Sequence, residues 1–166
     1  MQAVLAAQGG AYGAPDVDFH QFALVSDRAA HIRDEFGFGN RSITALPARH
    51  TVPAVGYHLD SGAASLVFTG DTGPNDALWK IVNRIGNLKY LIIETAFSNK
   101  ERKLAEMSRH LCPDMLAEEL KKLERNAEIY ITHMKPGEIE PTMLEIEECA
   151  GAFRPRMLQN NLVLEF

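Results

Sequence analysis

The sequence has few cysteines and no long hydrophobic run, and each absence excludes a class of protein. Cys112 and Cys149 are the two cysteines among 166 residues, and they form no C-x-x-C pair. A disulfide framework is therefore not expected, and this usage favours a reducing, cytoplasmic compartment. No apolar stretch approaches the roughly 18 residues that a membrane span requires, so we expect no membrane partner.

Positive charge is also scarce. The chain carries 17 basic and 22 acidic residues, which gives a net charge of −5. This balance disfavours a broad nucleic-acid-binding surface. The length predicts a single domain over residues 1–166. Residues 1–18 are expected to be irregular, because Met1 to Ala14 is rich in small residues and lacks the basic start and apolar run of a signal peptide.

Hydrophobic patterning predicts a layered α/β protein, because strands and helices alternate from residue 64 onward. The first third looks more like an antiparallel hairpin. Predicted strands cover residues 19–25, 43–48, 54–59, 64–68, 90–93, 128–131 and 158–166. Predicted helices cover residues 75–85, 98–107, 113–123 and 141–150, with a loop or short helix at 27–36 and a turn at 37–40.

Three local signals place helix starts. Pro74 and Pro113 are each expected at the first position of a helix, where the missing N–H costs nothing. Ser98 and Glu101 match the capping box Ser-x-x-Glu, which predicts reciprocal side-chain bonds at the start of the helix that follows.

Three side chains that can bind metal each follow a predicted strand. His50 follows strand 43–48, Asp71 lies in Thr69-Gly70-Asp71-Thr72-Gly73 after strand 64–68, and His133 follows strand 128–131. A carboxylate can bridge two metal ions while an imidazole binds each of them, and two such ions can activate water for phosphodiester hydrolysis. We therefore predict metal ligands at His50, Asp71 and His133, with Asp71 also catalytic.

Four further residues complete the predicted site. His110 lies just before the helix that starts at Pro113 and can protonate a leaving oxygen. Arg109 and Lys135 are candidate contacts for the substrate phosphate, since helix starts and cations attract anions. Glu94 ends strand 90–93, where its carboxylate can orient a histidine of the site by accepting a hydrogen bond.

These motifs resemble the second half of a metallo-β-lactamase-fold hydrolase. The matching pieces lie within residues 42–166 and are His50-Thr51-Val52-Pro53-Ala54-Val55-Gly56-Tyr57, Thr69-Gly70-Asp71-Thr72-Gly73, Arg109-His110-Leu111-Cys112-Pro113 and Thr132-His133-Met134-Lys135-Pro136. The last two pieces look most like class II 3′,5′-cyclic-nucleotide phosphodiesterases. The resemblance implies an αββα sandwich and two divalent metal ions, zinc foremost, with manganese or iron as alternatives.

The family's H-x-H-x-D-H motif has no counterpart among the six histidines. Either the chain is the C-terminal part of a longer protein, which we favour, or the motif has been lost. The resemblance then implies a hydrolase of cyclic nucleotides, most of all cAMP, that is inactive as this fragment alone.

Two rival functions stay open. The tRNA 3′-processing nucleases of the RNase Z group share the His-x-x-Pro-x-x-Gly-Tyr and Gly-Asp-Thr pieces, although the acidic balance counts against a nucleic-acid substrate. A non-catalytic binding or assembly module is the other, because half of a sandwich should expose an apolar sheet face that favours a homodimer.

Overall fold

The computed structural model of this chain describes residues 4–6, 35–38 and 41–166. The predicted strand 19–25 and most of the predicted segment 27–36 lie outside these ranges. The structure has a strand at Glu35–Phe38, so the loop or helix expected to reach Phe36 and the turn expected from Gly37 are wrong there.

Among the described residues, seven strands form the main sheet in sequence order. They are β2 (Glu35–Phe38), β3 (Arg41–Pro47), β4 (Val55–Asp60), β5 (Ser65–Phe68), β6 (Leu88–Glu94), β7 (Glu128–Thr132) and β8 (Arg156–Met157). Strands β2 to β5 pair antiparallel, and β5 to β8 pair parallel. The predicted change from a hairpin region to an α/β region is thus confirmed, and it falls at β5.

In the part of the chain that the structure describes, four α-helices follow or connect the parallel strands, and these are α1 (Asp76–Val82), α2 (Arg102–Ser108), α3 (Pro113–Leu120) and α4 (Ile139–Ala150). Pro113 opens α3 as predicted. Pro74 does not open α1, because Asn75 is the N-cap and accepts a hydrogen bond from the Leu78 N–H. The 3₁₀ turn Asn99–Glu101 precedes α2, and Ser98 makes no side-chain capping bond, so the predicted capping box is wrong.

Strand β6 is a buried central strand of the sheet. Its apolar run is buried at every position except Lys89, as expected for a central parallel strand. Leu91 and Ile93 face the helix layer, whose core also contains Leu116 and Ile131. Burial of this apolar surface, at about 25 cal/mol per Å², is the main force that holds the helices on the sheet.

The opposite face of the sheet is also buried. Tyr90, Ile92 and Tyr130 pack there with Leu164 and Phe166, and the rings of Tyr90 and Phe166 meet edge to face at 6.3 Å. The expectation that a half-sandwich would expose this apolar face is therefore wrong for the described residues, because the C-terminal segment folds over it.

A second, two-stranded sheet pairs β1 (Val4–Ala6) with β9 (Val163–Glu165) in antiparallel register. The expected irregularity of residues 1–18 is wrong at Val4–Ala6. The single strand predicted over 158–166 is also wrong, since β8 ends at Met157 and a turn at Asn161, with φ of 61°, separates it from β9. Within the described ranges, no helix is long and apolar enough to cross a membrane.

Candidate metal centre

One edge of the sheet gathers the predicted site residues. Strands β3, β5, β6 and β7 all point the same way, so their carboxyl ends meet at this edge. His50 follows β3, Asp71 follows β5, Glu94 ends β6 and His133 follows β7. The carboxyl edge of parallel strands is where α/β proteins place their ligands.

Asp71 and His133 face each other across two of these strand ends. His133 Nε2 lies 3.6 Å from Asp71 Oδ2, and both side chains are about half exposed. This separation brings a carboxylate oxygen and an imidazole nitrogen close enough to bind one ion from adjacent positions. His133 has φ of 65°, a left-handed conformation that is uncommon for residues other than glycine.

His50 and His110 form the second contact of the site. Their Nε2 atoms are 3.1 Å apart, and their rings meet edge to face at 4.7 Å. The His110 ring also stacks on that of His133 at 5.2 Å, with an interplanar angle of 19°. His110 is therefore the central imidazole, in contact with both of the other histidines.

Glu94 forms a hydrogen bond with His110. Its side chain is 0% exposed, and Oε1 lies 2.8 Å from His110 Nδ1. The same carboxylate accepts hydrogen bonds from the backbone N–H groups of Thr72, Ala96 and Leu111. These three donors stabilise the carboxylate, so the proton of the pair lies on His110 Nδ1, and Nε2 points toward His50.

The two contacting histidines have pKa values displaced in opposite directions. Burial lowers the pKa of His50, and the nearby charge of His110 lowers it further. The hydrogen bond to Glu94 raises the pKa of His110 against the opposing effect of burial. Burial also raises the pKa of Glu94, and the bond from His110 opposes that rise. His50 is thus suited to bind metal as a neutral imidazole, whereas His110 is suited to carry a proton.

Thr72 joins the loops that carry these residues, and the sequence pattern gave no sign of this role. Its Oγ1 accepts a 2.9 Å hydrogen bond from the Arg49 N–H, and Gly73 N–H donates to the Arg49 carbonyl. Because the Thr72 N–H also bonds to Glu94, a single residue fixes the His50 segment, the Asp71 loop and Glu94 together.

Two glycines allow the Asp71 loop to approach β4. Gly70 has φ of 63°, and a Cβ there would lie 2.4 Å from the Val55 carbonyl oxygen. A Cβ at Gly56 would lie 2.6 Å from the Phe68 carbonyl oxygen and 2.7 Å from that of Thr69. No side chain fits at either place without moving the backbone, so the close contact of β4 with the loop sets the position of Asp71.

The predicted phosphate contacts are already engaged with protein groups. Arg109 Nη1 donates to the His50 carbonyl oxygen at 2.9 Å, so this guanidinium supports the His50 loop. Lys135 Nζ lies 2.8 Å from Glu101 Oε1 and 4.3 Å from the centre of the Phe97 ring. Whether either cation also contacts a substrate stays a prediction.

The donor set fits a divalent metal ion. His50, Asp71 and His110 each offer one ligand atom, and these atoms lie within 4.8 Å of one another. Imidazole nitrogens and carboxylate oxygens are ordinary ligands for zinc, manganese and iron. The structure thus brings all three predicted ligands to one place and adds His110 beside them. The division between His110 as proton donor and His133 as ligand stays a prediction.

Several solved structures share this fold. The metallo-beta-lactamase fold protein YhfI from Bacillus subtilis matches with a TM-score of 0.67 and 19% identity, over 91% of this chain and 63% of that one. Unliganded yeast PDE1 matches at 0.62 and 15%, over 82% and 48%. The short form of human tRNase Z (ELAC1) matches at 0.55 and 17%, over 78% and 43%. At these identities the likeness shows the fold alone.

The sheet, its strand-end site and these structures define a protein of the metallo-β-lactamase fold. The family model described as the beta-lactamase superfamily domain matches residues 3–134, and the chain belongs to that family. The resemblance that the motifs indicated is thereby confirmed. The chain spans between 43% and 63% of the length of the three structures compared. A comparison with curated protein sequences found no match.

Proposed function

We propose that this chain carries part of the active site of a metal-dependent phosphodiester hydrolase acting on a 3′,5′-cyclic nucleotide, with cAMP as the first candidate. The observation that carries the proposal is the orientation of His110. Glu94 binds its Nδ1, while its Nε2 opens toward the space shared by His50, Asp71 and His133.

His50, Asp71 and His133 would hold the metal. When bound, divalent ions polarise the phosphoryl oxygens and lower the pKa of water to supply the nucleophile. Two ions need more ligands than these three side chains supply. The activity therefore belongs to the natural protein that contains this chain.

His110 would donate a proton from Nε2 to the leaving oxygen. When the imidazole gives up the proton on Nε2, its Nδ1 keeps the other proton. The buried Glu94 carboxylate accepts a hydrogen bond from that Nδ1–H. The raised pKa of His110, caused by its hydrogen bond to Glu94, supports the role because it favours the protonated imidazole.

The choice of a cyclic nucleotide draws support from the His-Leu-x-Pro and His-x-Lys-Pro motifs and from the likeness to yeast PDE1. The tRNA-processing alternative has a structural neighbour in human tRNase Z. The net charge of −5 favours a small anionic substrate over a polynucleotide, since RNA binding gains most from a basic surface.

The test is hydrolysis of 3′,5′-cAMP by the natural protein that contains residues 1–166, with metal content measured by elemental mass spectrometry and mass in solution measured alongside. Asp71→Asn should lower both metal content and turnover. His110→Gln should lower turnover by about 10²–10⁴-fold, the usual contribution of a general acid. Glu118→Gln, which changes an exposed carboxylate on α3, is the control.

Unchanged turnover in His110→Gln and Asp71→Asn would contradict the proposal. Cleavage of a tRNA precursor without action on cyclic nucleotides would favour the nuclease. Metal-free protein that associates in a concentration-dependent way and hydrolyses neither substrate would favour the assembly module and a homodimer.

A further inference from the structure

An ion pair beside His110 joins two half-exposed residues. Lys135 and Glu101 side chains are 39% and 36% exposed, and their charged atoms are 2.8 Å apart. The Lys135 ammonium also lies over the face of Phe97, at 4.3 Å from the ring centre. The Phe97 ring in turn meets the His110 ring at 5.6 Å. The pair therefore stands at the rim of the metal centre, one aromatic ring away from His110.

Glu101 does not use its carboxylate for the local role that its sequence position predicts. It follows Ser98 by three residues, yet Ser98 makes no side-chain capping bond at this turn. The Glu101 carboxylate is instead directed to Lys135, 34 positions away in the chain. Since exposed ion pairs contribute little to stability, this contact is poorly explained as a device for folding.

We propose that Glu101 sets the charge preference of the site, favouring monoanionic phosphodiesters over dianionic phosphomonoesters. The inference rests on the proposed function, because it assumes that a phosphate group occupies the metal centre. Lys135 attracts any phosphate there, and Glu101 offsets part of that attraction. The remaining repulsion from Glu101 grows with the charge of the ligand.

Substrate and product of a phosphodiesterase differ in this respect. A phosphodiester carries one negative charge, whereas a phosphomonoester, with its second pKa near 6, carries close to two at neutral pH. A fixed carboxylate at the rim therefore penalises the product more than the substrate. Glu101 would thus speed release of the phosphomonoester and limit inhibition by it.

The experiment measures binding of methyl phosphate and dimethyl phosphate to the zinc-loaded natural protein by ³¹P NMR titration at pH 8. Glu101→Gln should tighten methyl phosphate binding by about threefold to tenfold, as expected for removing one half-exposed charge. The change for dimethyl phosphate should be clearly smaller. Lys135→Met should weaken both ligands, and adding it to Glu101→Gln should remove most of the gain.

Glu106→Gln is the matched control. Glu106 pairs with Arg102 at 3.1 Å on α2, so this variant removes the same charge from the same segment without touching Lys135. Equal affinities for methyl phosphate in Glu101→Gln and the parent, an equal gain in Glu106→Gln, or no binding by any variant would each overturn the inference. Thermal unfolding confirms that the variants are folded.

The two proposals fail in different ways. A change in phosphate selectivity in Glu101→Gln without turnover of cyclic nucleotides would sink the proposed function and leave this inference standing. Turnover of cAMP together with unchanged phosphate selectivity in Glu101→Gln would support the proposed function and overturn this inference.

Discussion

Two buried glutamates, Glu94 and Glu119, hold neighbouring parts of the molecule in similar ways but for different ends. Glu94 is 0% exposed at the end of β6, and Glu119 is 4% exposed on α3. The Glu119 carboxylate accepts hydrogen bonds from the Asn75 N–H, from the Trp79 indole at 2.7 Å and from Lys122 at 2.6 Å. It ties α1 to α3.

The partners of the two carboxylates differ in kind. Glu119 is neutralised by a lysine, whose ammonium keeps its charge throughout the physiological range, so this cluster holds a fixed geometry. Glu94 is paired with His110, and histidine is the side chain whose ordinary pKa lies closest to neutral pH. A buried, hydrogen-bonded carboxylate therefore serves structure in one place and, under the proposed function, proton transfer in the other.

The largest effect that tests this comparison is on stability. Glu94→Gln should lower the free energy of unfolding by about 3–5 kcal/mol, because an amide cannot accept all four hydrogen bonds. Glu119→Gln should cost less, about 1–3 kcal/mol, because Lys122 is partly exposed and regains water. Urea unfolding at pH 7 measures both, with the exposed Glu118→Gln as control. A larger loss in Glu119→Gln than in Glu94→Gln would break the comparison.

A smaller change in the free energy of unfolding, of opposite sign, is expected at His133. His133→Asn should raise the free energy of unfolding by about 0.5–1 kcal/mol, because asparagine tolerates the left-handed backbone at φ of 65° better than histidine. Zinc affinity, measured by competition with a chelator, should fall in the same variant. His50→Asn is the control, since His50 is not at positive φ and should lose metal without gaining stability. A destabilised His133→Asn would show that the site carries no backbone strain there.

The smallest effect concerns a third polar side chain, the partly buried His58. Its Nε2 is buried and has no hydrogen-bond partner among the described residues, and burial lowers its pKa below the ordinary value of 6.5. Well above pH 6.5 the imidazole is neutral in both the folded and the unfolded chain. As the pH falls below it, the unfolded chain takes up the proton first, so the free energy of unfolding decreases until the folded imidazole titrates too.

His58→Leu should therefore flatten the pH dependence of stability below about pH 6.5. Urea unfolding across that range supplies the slopes for both proteins. Coincident slopes would mean that His58 is solvated in the folded chain, contrary to its burial.

The sequence allowed prediction of the features that depend on local pattern. His50, Asp71 and His133 follow short apolar strands, and parallel strands bring their carboxyl ends together, so their convergence could be expected before the fold was known. The start of α3 at Pro113 was predictable for the same local reason.

Contacts between distant residues could not be read in this way. The Ser98-x-x-Glu101 pattern matches a capping box, but Lys135 attracts the Glu101 carboxylate instead. The bond between Trp79 and Glu119 joins residues 40 positions apart and leaves no periodic signal. The prediction that Pro74 opens α1 was wrong by two residues, because the Asn75 side chain caps the helix and the helix begins at Asp76.

Gly56 and Gly70, which allow the Asp71 loop to approach β4, limit which substitutions this protein can accept. Positions 56 and 70 are closed even to alanine, since each Cβ would lie within 2.7 Å of a backbone oxygen. At Gly86 and Gly137 an added Cβ would meet nothing within 4 Å, although Gly137, with φ of 84°, suits few other residues. Random mutagenesis should therefore recover substitutions freely at Gly86 and almost none at Gly56 and Gly70, so that new specificities must evolve from the rim of the site and not from its floor.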